Sequence, residues 1–310
     1  MRRLERSADT WAPIIVPGAS VDRRSGVWLT GQLTLASGMH ASACLRCPDQ
    51  PCRRSTGNRV DGNPDLCPVD ALSIDPVSGS VMVDQECISC GVCVLRCPVG
   101  AFSPEDQGRI QVNSAASLGS LGIESDALEF ALWRAEATRG TVVSRNDREA
   151  FIDLALRAAA PLGGRQFYPL VASLFRAIGV PATVSNPGDT SNRIDLVLDH
   201  SERPIPVEVK SRTEVEAINT KSVQQALENK LAISRLTGRQ NLDDTASLVV
   251  GYDYPPQRSG VDELVDDIFA TYGIKIGLIS LRRLYELLLE CNLDELLFDR
   301  QTLVSIRGRL

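Results

Sequence analysis

CISCGVCVLRCP, residues 87–98, places four cysteines in twelve positions of a chain that holds five others. Cys87, Cys90, Cys93 and Cys97 run C-x2-C-x2-C-x3-C-P. Three thiolates on one tight loop match three corners of an iron–sulfur cube, and a distant cysteine before proline supplies the fourth. Cys44, Cys47, Cys52 and Cys67 lie upstream, so eight of the nine cysteines fall within 54 residues. A disulfide framework would suit a short secreted chain, and the opening MRRLERSADTW has no apolar run behind its basic residues. Zinc sites pair two C-x2-C knuckles or recruit histidine, whereas His40 and His200 both lie outside the cysteine cluster.

The region repeats itself: CPVDALSID from Cys67 echoes CPVGAFSPE from Cys97. Over roughly residues 40–106 the chain resembles the bacterial two-cluster [4Fe–4S] ferredoxin, in which each half lends its last cysteine to the other half's cluster. The resemblance implies an α+β ferredoxin-type iron–sulfur domain over 39–112. It assigns one cluster to Cys44, Cys47, Cys52 and Cys97, and the other to Cys87, Cys90, Cys93 and Cys67. The first loop departs from the pattern, with four residues between Cys47 and Cys52. Fused ferredoxin modules pass electrons, staple a fold or sense oxidation. Cys291, in LYELLLECNL, reads as a small buried hydrophobe on a helix.

With 310 residues, 43% of them hydrophobic and 23% charged, the chain has material for two domains, each with its own core. No stretch reaches the run of about eighteen apolar residues that a membrane span needs, so the expected location is the cytoplasm. Basic and acidic residues balance through residue 104, and the whole net charge of −6 falls on the remainder. No basic field announces nucleic acid. Arginine supplies 29 of the 33 basic residues, which suits phosphate contacts and equally marks GC-rich coding.

Residues 1–38 read as an extension with short strand-like runs, APIIVP and GVWLTGQL. A linker and helical segment follows the cysteine repeat over 113–160, opening on SAASLGSLGI and holding two helical patterns, ESDALEFALWRAEA and NDREAFIDLALRAAA. In RQFYPLVASLFRAIG, Phe167, Leu170, Val171, Leu174, Phe175 and Ile178 fall on one helix face, and Gly179 suits its end. The runs after it predict the order αβββαβαβα, a mixed sheet flanked by helices over 161–310.

Within that domain RIDLVLDHSERPIPVEVKS, residues 193–211, reads as a β-hairpin. Ile194, Leu196 and Leu198 alternate on its first strand, Val207 and Val209 on its second. Pairing Leu198 with Ile205 sets Asp195 opposite Glu208 on the face away from those aliphatics, with Lys210 two residues on. Facing carboxylates repel, so the pair invites a divalent cation, Mg²⁺ or Mn²⁺, with Lys210 orienting water or stabilising phosphate charge.

With the amphipathic helix before the hairpin and a glutamine-bearing helix after it, the chain looks like the PD-(D/E)XK nuclease superfamily, restriction-endonuclease-like branch, over roughly 161–290. That resemblance implies an α/β restriction-endonuclease-like domain with a mixed central sheet. It implies metal ligation by Asp195, Glu208 and the Val209 carbonyl, catalysis by Lys210, and a helix glutamine for which Gln225 or Gln224 is the match. Many members carry a further glutamate on the preceding helix. Here Tyr168 stands at that place, and Glu149 and Asp153 are the nearest substitutes one helix earlier.

Taken together, the two resemblances imply a Mg²⁺-dependent DNA endonuclease with a two-cluster ferredoxin domain, in a restriction or phage-defence setting. DNA, a redox or defence-system protein and a second copy of the chain are the partners so implied, and no membrane. The alternative is an electron-transfer or redox-sensing ferredoxin fusion whose nuclease-like domain is inactive and binds DNA or a partner. No G-x-G-x-x-G fingerprint supports a dinucleotide-dependent oxidoreductase.

Overall fold

A computed structural model describes residues 21–22, 27–28, 66–74, 81–96, 102–104, 110–112, 145–185, 194–198, 203–236, 245–293 and 298–310. Cys44, Cys47, Cys52 and Cys97, both histidines, the opening of the linker and the helical pattern at 124–137 lie outside these. The chain divides into two compact units, 1–155 with 292–294 and 156–291 with 295–310.

In the first unit, strands β1 (Val21–Asp22) and β2 (Val27–Trp28) pair antiparallel. The cysteine repeat returns as a structural repeat. Strand β3 (Leu72–Ile74) starts five residues after Cys67 and pairs antiparallel with β4 (Val81–Val83). Strand β5 (Phe102–Pro104) starts five after Cys97 and pairs antiparallel with β6 (Ile110–Val112). Helix α1 (Val92–Arg96) grows out of the C-x2-C-x2-C loop. Helix α2 (Arg145–Ala159) matches the pattern NDREAFIDLALRAAA.

The second unit opens with helix α3 (Gly164–Ala177), whose predicted face is buried throughout: Phe167, Leu170, Val171, Leu174 and Phe175 are 0% exposed. Gly179 adopts φ +86, its N–H donates to the Arg176 carbonyl, and Val180 N–H donates to the Phe175 carbonyl. That double closure ends the helix and needs a residue free to enter the left-handed region.

Next come strands β7 (Ala182–Val184), β8 (Leu196–Leu198) and β9 (Ile205–Lys210), then helix α4 (Thr220–Leu236) and strand β10 (Ser247–Gly251). Helix α5 (Val261–Tyr272), strand β11 (Ile276–Ser280) and helix α6 (Leu281–Leu293) complete the expected αβββαβαβα order. Helix α7 (Arg300–Ser305) and strand β12 (Gly308–Arg309) extend it. The sheet runs β12-β11-β10-β9-β8-β7, antiparallel from β7 to β9 and parallel from β9 to β12. Val223 and Ala226 of α4, with Val261, Val265 and Ile268 of α5, pack with Val249, Ile276 and Leu278 of the parallel strands.

Two details differ from the hairpin expected from the sequence. Strand β8 begins at Leu196, so Asp195 sits just ahead of the ladder, its carbonyl accepting from Ser185 N–H. Strand β9 is buried from Ile205 through Val209 instead of alternating, because its second face lies under α4. Cys291 is half-buried rather than buried. Among the described residues no helix is long and apolar enough to cross a membrane.

Candidate cluster pocket and acidic site

Cys87, Cys90 and Cys93 of the tight loop and Cys67, twenty residues upstream of it, line one pocket of the first unit together with Leu66 and Ile88. None of the four is in a disulfide. The backbone turns its donors toward the sulfurs: Ala71 N–H reaches Cys67 Sγ at 3.1 Å and Ser89 N–H reaches Cys87 Sγ at 3.4 Å. Two non-glycine residues pay a small strain for this, Asp70 at φ 53 and Ser89 at φ 56. Turns of this kind gather N–H groups into concavities that suit anions and iron–sulfur centres. Burial raises the Cys67 thiol and pushes Cys90 up to about 12, so these sulfurs favour the thiolate form only when a cationic centre compensates the charge.

Among the described residues no three Cys, His, Asp or Glu side chains converge tightly enough to hold a single ion. A cube of iron and sulfide keeps its thiolates further apart than one ion does, and the four sulfurs around a shared pocket fit that requirement. Gly91, at φ +74, closes the loop beneath the ring of Phe151 from α2; a Cβ there would stand 2.4 Å from Phe151 Cζ.

In the second unit, the pairs Leu198↔Ile205, Val197↔Pro206 and Leu196↔Val207 reproduce the predicted register. One further step brings Asp195 to Glu208. Asp195 Oδ2 accepts from Val209 N–H at 2.9 Å. Glu208 is 3% exposed; its Oε1 stands 2.6 Å from Lys210 Nζ, and its Oε2 accepts from Asn229 Nδ2 at 2.8 Å. Burial and the neighbouring Glu208 charge push Asp195 up to about 7, against the opposing pull of Val209 N–H and Lys210. Burial would lower Lys210, but its salt bridge with Glu208 and the charges of Glu208, Asp195 and Glu214 carry it above its ordinary value.

The α3 position without a glutamate has another use. Tyr168 Oη donates to Glu214 Oε1 at 2.9 Å, while Glu214 Oε2 accepts from Ser211 N–H and Ser211 Oγ, each at 2.8 Å. Burial, Asp195 and Glu214 raise the Tyr168 phenol; burial disfavours the Glu214 carboxylate, but the Ser211 and Tyr168 bonds hold it below its ordinary value. Glu149 is exposed and Asp153 half-buried on α2, so the acid bonded at Tyr168 comes from the turn after β9. Gln224 is exposed, whereas Gln225 turns inward, its Oε1 buried without a hydrogen-bond partner.

Oxygen donors from Asp195, Glu208 and the Val209 carbonyl suit Mg²⁺ or Mn²⁺. A carboxylate whose proton is favoured by burial and by the neighbouring Glu208 charge, with an unsatisfied acceptor on the covering helix, fits a site that receives a cation and its water. Sequence reasoning missed Asn229 and Glu214. Asn229 carried a faint signal, an amide one turn beyond Gln225 in a helix interior where asparagine is a poor choice.

These features define an iron–sulfur chain with a separate mixed-sheet domain. Residues 81–103 match the family model described as 4Fe-4S binding domain. The chain is similar, 45% identical over 56 residues, to the aliphatic sulfonate oxidoreductase polyferredoxin-like subunit of Pyrococcus furiosus, covering 18% of this chain and 26% of that protein. It is 35% identical over 82 residues to the formate dehydrogenase iron-sulfur subunit of Wolinella succinogenes, covering 26% and 35%. It is 40% identical over 63 residues to the putative electron transport protein YsaA of Escherichia coli, covering 20% and 32%. The chain thus spans about a quarter to a third of the length of these relatives. No solved structure matches it at a significant level. The chain carries a ferredoxin-type [4Fe–4S]-binding domain, and none of the relatives named is a nuclease.

Proposed function

We propose that the first unit is a two-cluster ferredoxin that passes or senses electrons, and that the mixed-sheet domain over 161–310 takes the restriction-endonuclease-like fold and hydrolyses phosphodiesters of DNA with Mg²⁺ or Mn²⁺. The redox half rests on the four-sulfur pocket and on the iron–sulfur and electron-transport proteins among the relatives. The hydrolytic half rests on one observation, the junction of Asp195, Glu208 and Lys210 at the start of β8 and the end of β9.

When bound, the cation lowers the pKa of water and neutralises phosphate charge. Asp195, Glu208 and the Val209 carbonyl would hold it, with Asn229 fixing Glu208. Lys210 offers its ammonium to a phosphate oxygen, and Gln225 Oε1 accepts from a water.

The comparisons favour a second reading more than this one: a redox-sensing or electron-transfer fusion whose mixed-sheet domain binds DNA or a protein without cutting. Anaerobically purified, iron-loaded protein, assayed with Mg²⁺ on duplex, single-stranded and modified DNA, separates the two. Cleavage lost in Asp195→Ala and Lys210→Ala with iron content unchanged supports hydrolysis. Cleavage retained in Asp195→Ala sinks it, and absence of cleavage from the iron-loaded parent leaves the redox reading.

A further inference from the structure

The metal-free arrangement contains a conflict. Lys210 Nζ lies 2.6 Å from Glu208 Oε1, an oxygen that the proposed cation needs. An ammonium and a divalent cation on one carboxylate repel each other strongly in a buried setting, and Glu208 is 3% exposed. Lys210 must therefore move when the cation enters, and it needs another anion to receive it. Besides Glu208, the carboxylates of Asp195 and Glu214 act on Lys210. Asp195 is committed to the same cation.

Glu214 is suited to the task by its bracing. It follows Lys210 by one turn, clamped by the Ser211 N–H and hydroxyl on one oxygen and by the Tyr168 hydroxyl on the other. Thr213 Oγ1 bonds both Ser211 Oγ, at 3.0 Å, and the Leu162 carbonyl, at 3.4 Å, so the turn is tied to the entrance of α3. A tethered carboxylate can accept the ammonium without losing conformational freedom at that moment.

We propose that Glu214, held by Tyr168, is a positioning residue that takes over the Lys210 ammonium when a divalent cation occupies Asp195 and Glu208. This rests on the metal-site reading above. It assigns Tyr168 a purpose on a helix that lacks the expected glutamate.

Titration of Mn²⁺ into the full, iron-loaded chain by calorimetry tests it, with melting temperature and iron content as controls on folding. Asp195→Asn should abolish the mixed-sheet-domain binding seen in the parent. Glu214→Gln should weaken Mn²⁺ on the order of tenfold, because a charge-assisted partner for Lys210 is lost. Tyr168→Phe, which keeps the charge and removes the tether, should give a smaller loss. In a Lys210→Met background both losses should largely disappear, since no ammonium remains to be moved. Equal loss from Glu214→Gln with and without Lys210 would overturn the proposal in favour of a direct ligand or a structural brace. Parent-like binding by Glu214→Gln would overturn it too. A parent chain that binds no Mn²⁺ at this site removes the metal reading and this proposal together, whereas binding with an unaffected Glu214→Gln removes this proposal alone.

Discussion

Asn229 Nδ2 donates to Glu208 Oε2 across 2.8 Å in the interior between α4 and β9, and no sequence motif announces the pair. The bond fixes a carboxylate that is 3% exposed. Asn229→Ala leaves that oxygen without its donor, at a cost of about 1–3 kcal/mol for an unsatisfied buried polar group. Urea denaturation should show the loss, and Mn²⁺ affinity should fall with it because Glu208 is no longer aimed. Unchanged stability would mean that water replaces the amide.

The acidity of Asp195 sets a pH dependence whose sign follows from its direction. Its folded value of about 7 lies above the ordinary 3.8, so the folded chain binds this proton more tightly than the unfolded chain does. The stabilising contribution is complete below 3.8 and is lost as pH rises through about 7. Metal-free protein should therefore lose stability through this group mainly as pH rises from 3.8 to about 7, and Asp195→Asn should flatten that part of the curve. A bound cation supplies the missing positive charge, so stabilisation by Mn²⁺ should grow over the same interval. Denaturation midpoints measured with and without Mn²⁺ check both statements.

The hairpin pairing was legible because period-two burial admits only one register: shifting β8 by one residue would expel Ile194, Leu196 and Leu198 from the core together. The α3 face was legible for the same kind of reason, with its apolar positions repeating at helical spacing. The cysteine repeat reappears as paired hairpins at equal offsets from Cys67 and Cys97. Glu214 was not legible. It sits in an exposed-looking S-R-T-E turn, and its partner Tyr168 lies 46 residues away, a separation at which no local pattern reports contact. Burial of β9 on both faces from Ile205 through Val209 was hidden as well, since Pro206 and Glu208 imply a solvated face until α4 is placed over them. The strand β12 is two residues long and apolar at neither, so periodicity has nothing to detect.

The four-sulfur pocket predicts a divided iron content. Cys90 is the most buried of its cysteines, and under the proposed two-cluster arrangement Cys90→Ser should remove the cluster it lines and spare the other, giving about half of the parent's iron. Cys291→Ser, on a helix of the other compact unit, should leave iron unchanged. Colorimetric iron analysis and electron paramagnetic resonance of the reduced proteins distinguish the cases. Complete loss in Cys90→Ser would mean that the two sites fold as one or that a single cluster is present.

Gly91 links the same pocket to α2 and offers a steric test. Its φ of +74 already disfavours any side chain, and a Cβ would stand 2.4 Å from Phe151 Cζ and 3.0 Å from Cε2. Gly91→Ala should cost about 1–3 kcal/mol, combining left-handed strain with displacement of a packed ring. Because Gly91 lies directly after Cys90, the displacement should also loosen the C-x2-C-x2-C loop and speed iron loss to a chelator. Phe151→Ala removes the clash but not the backbone strain, so Gly91→Ala in a Phe151→Ala background should recover part of the iron retention and no more. Full recovery would assign the whole effect to the ring. No recovery would assign it to the backbone, and Phe151 would then be packing beside the loop without bracing it.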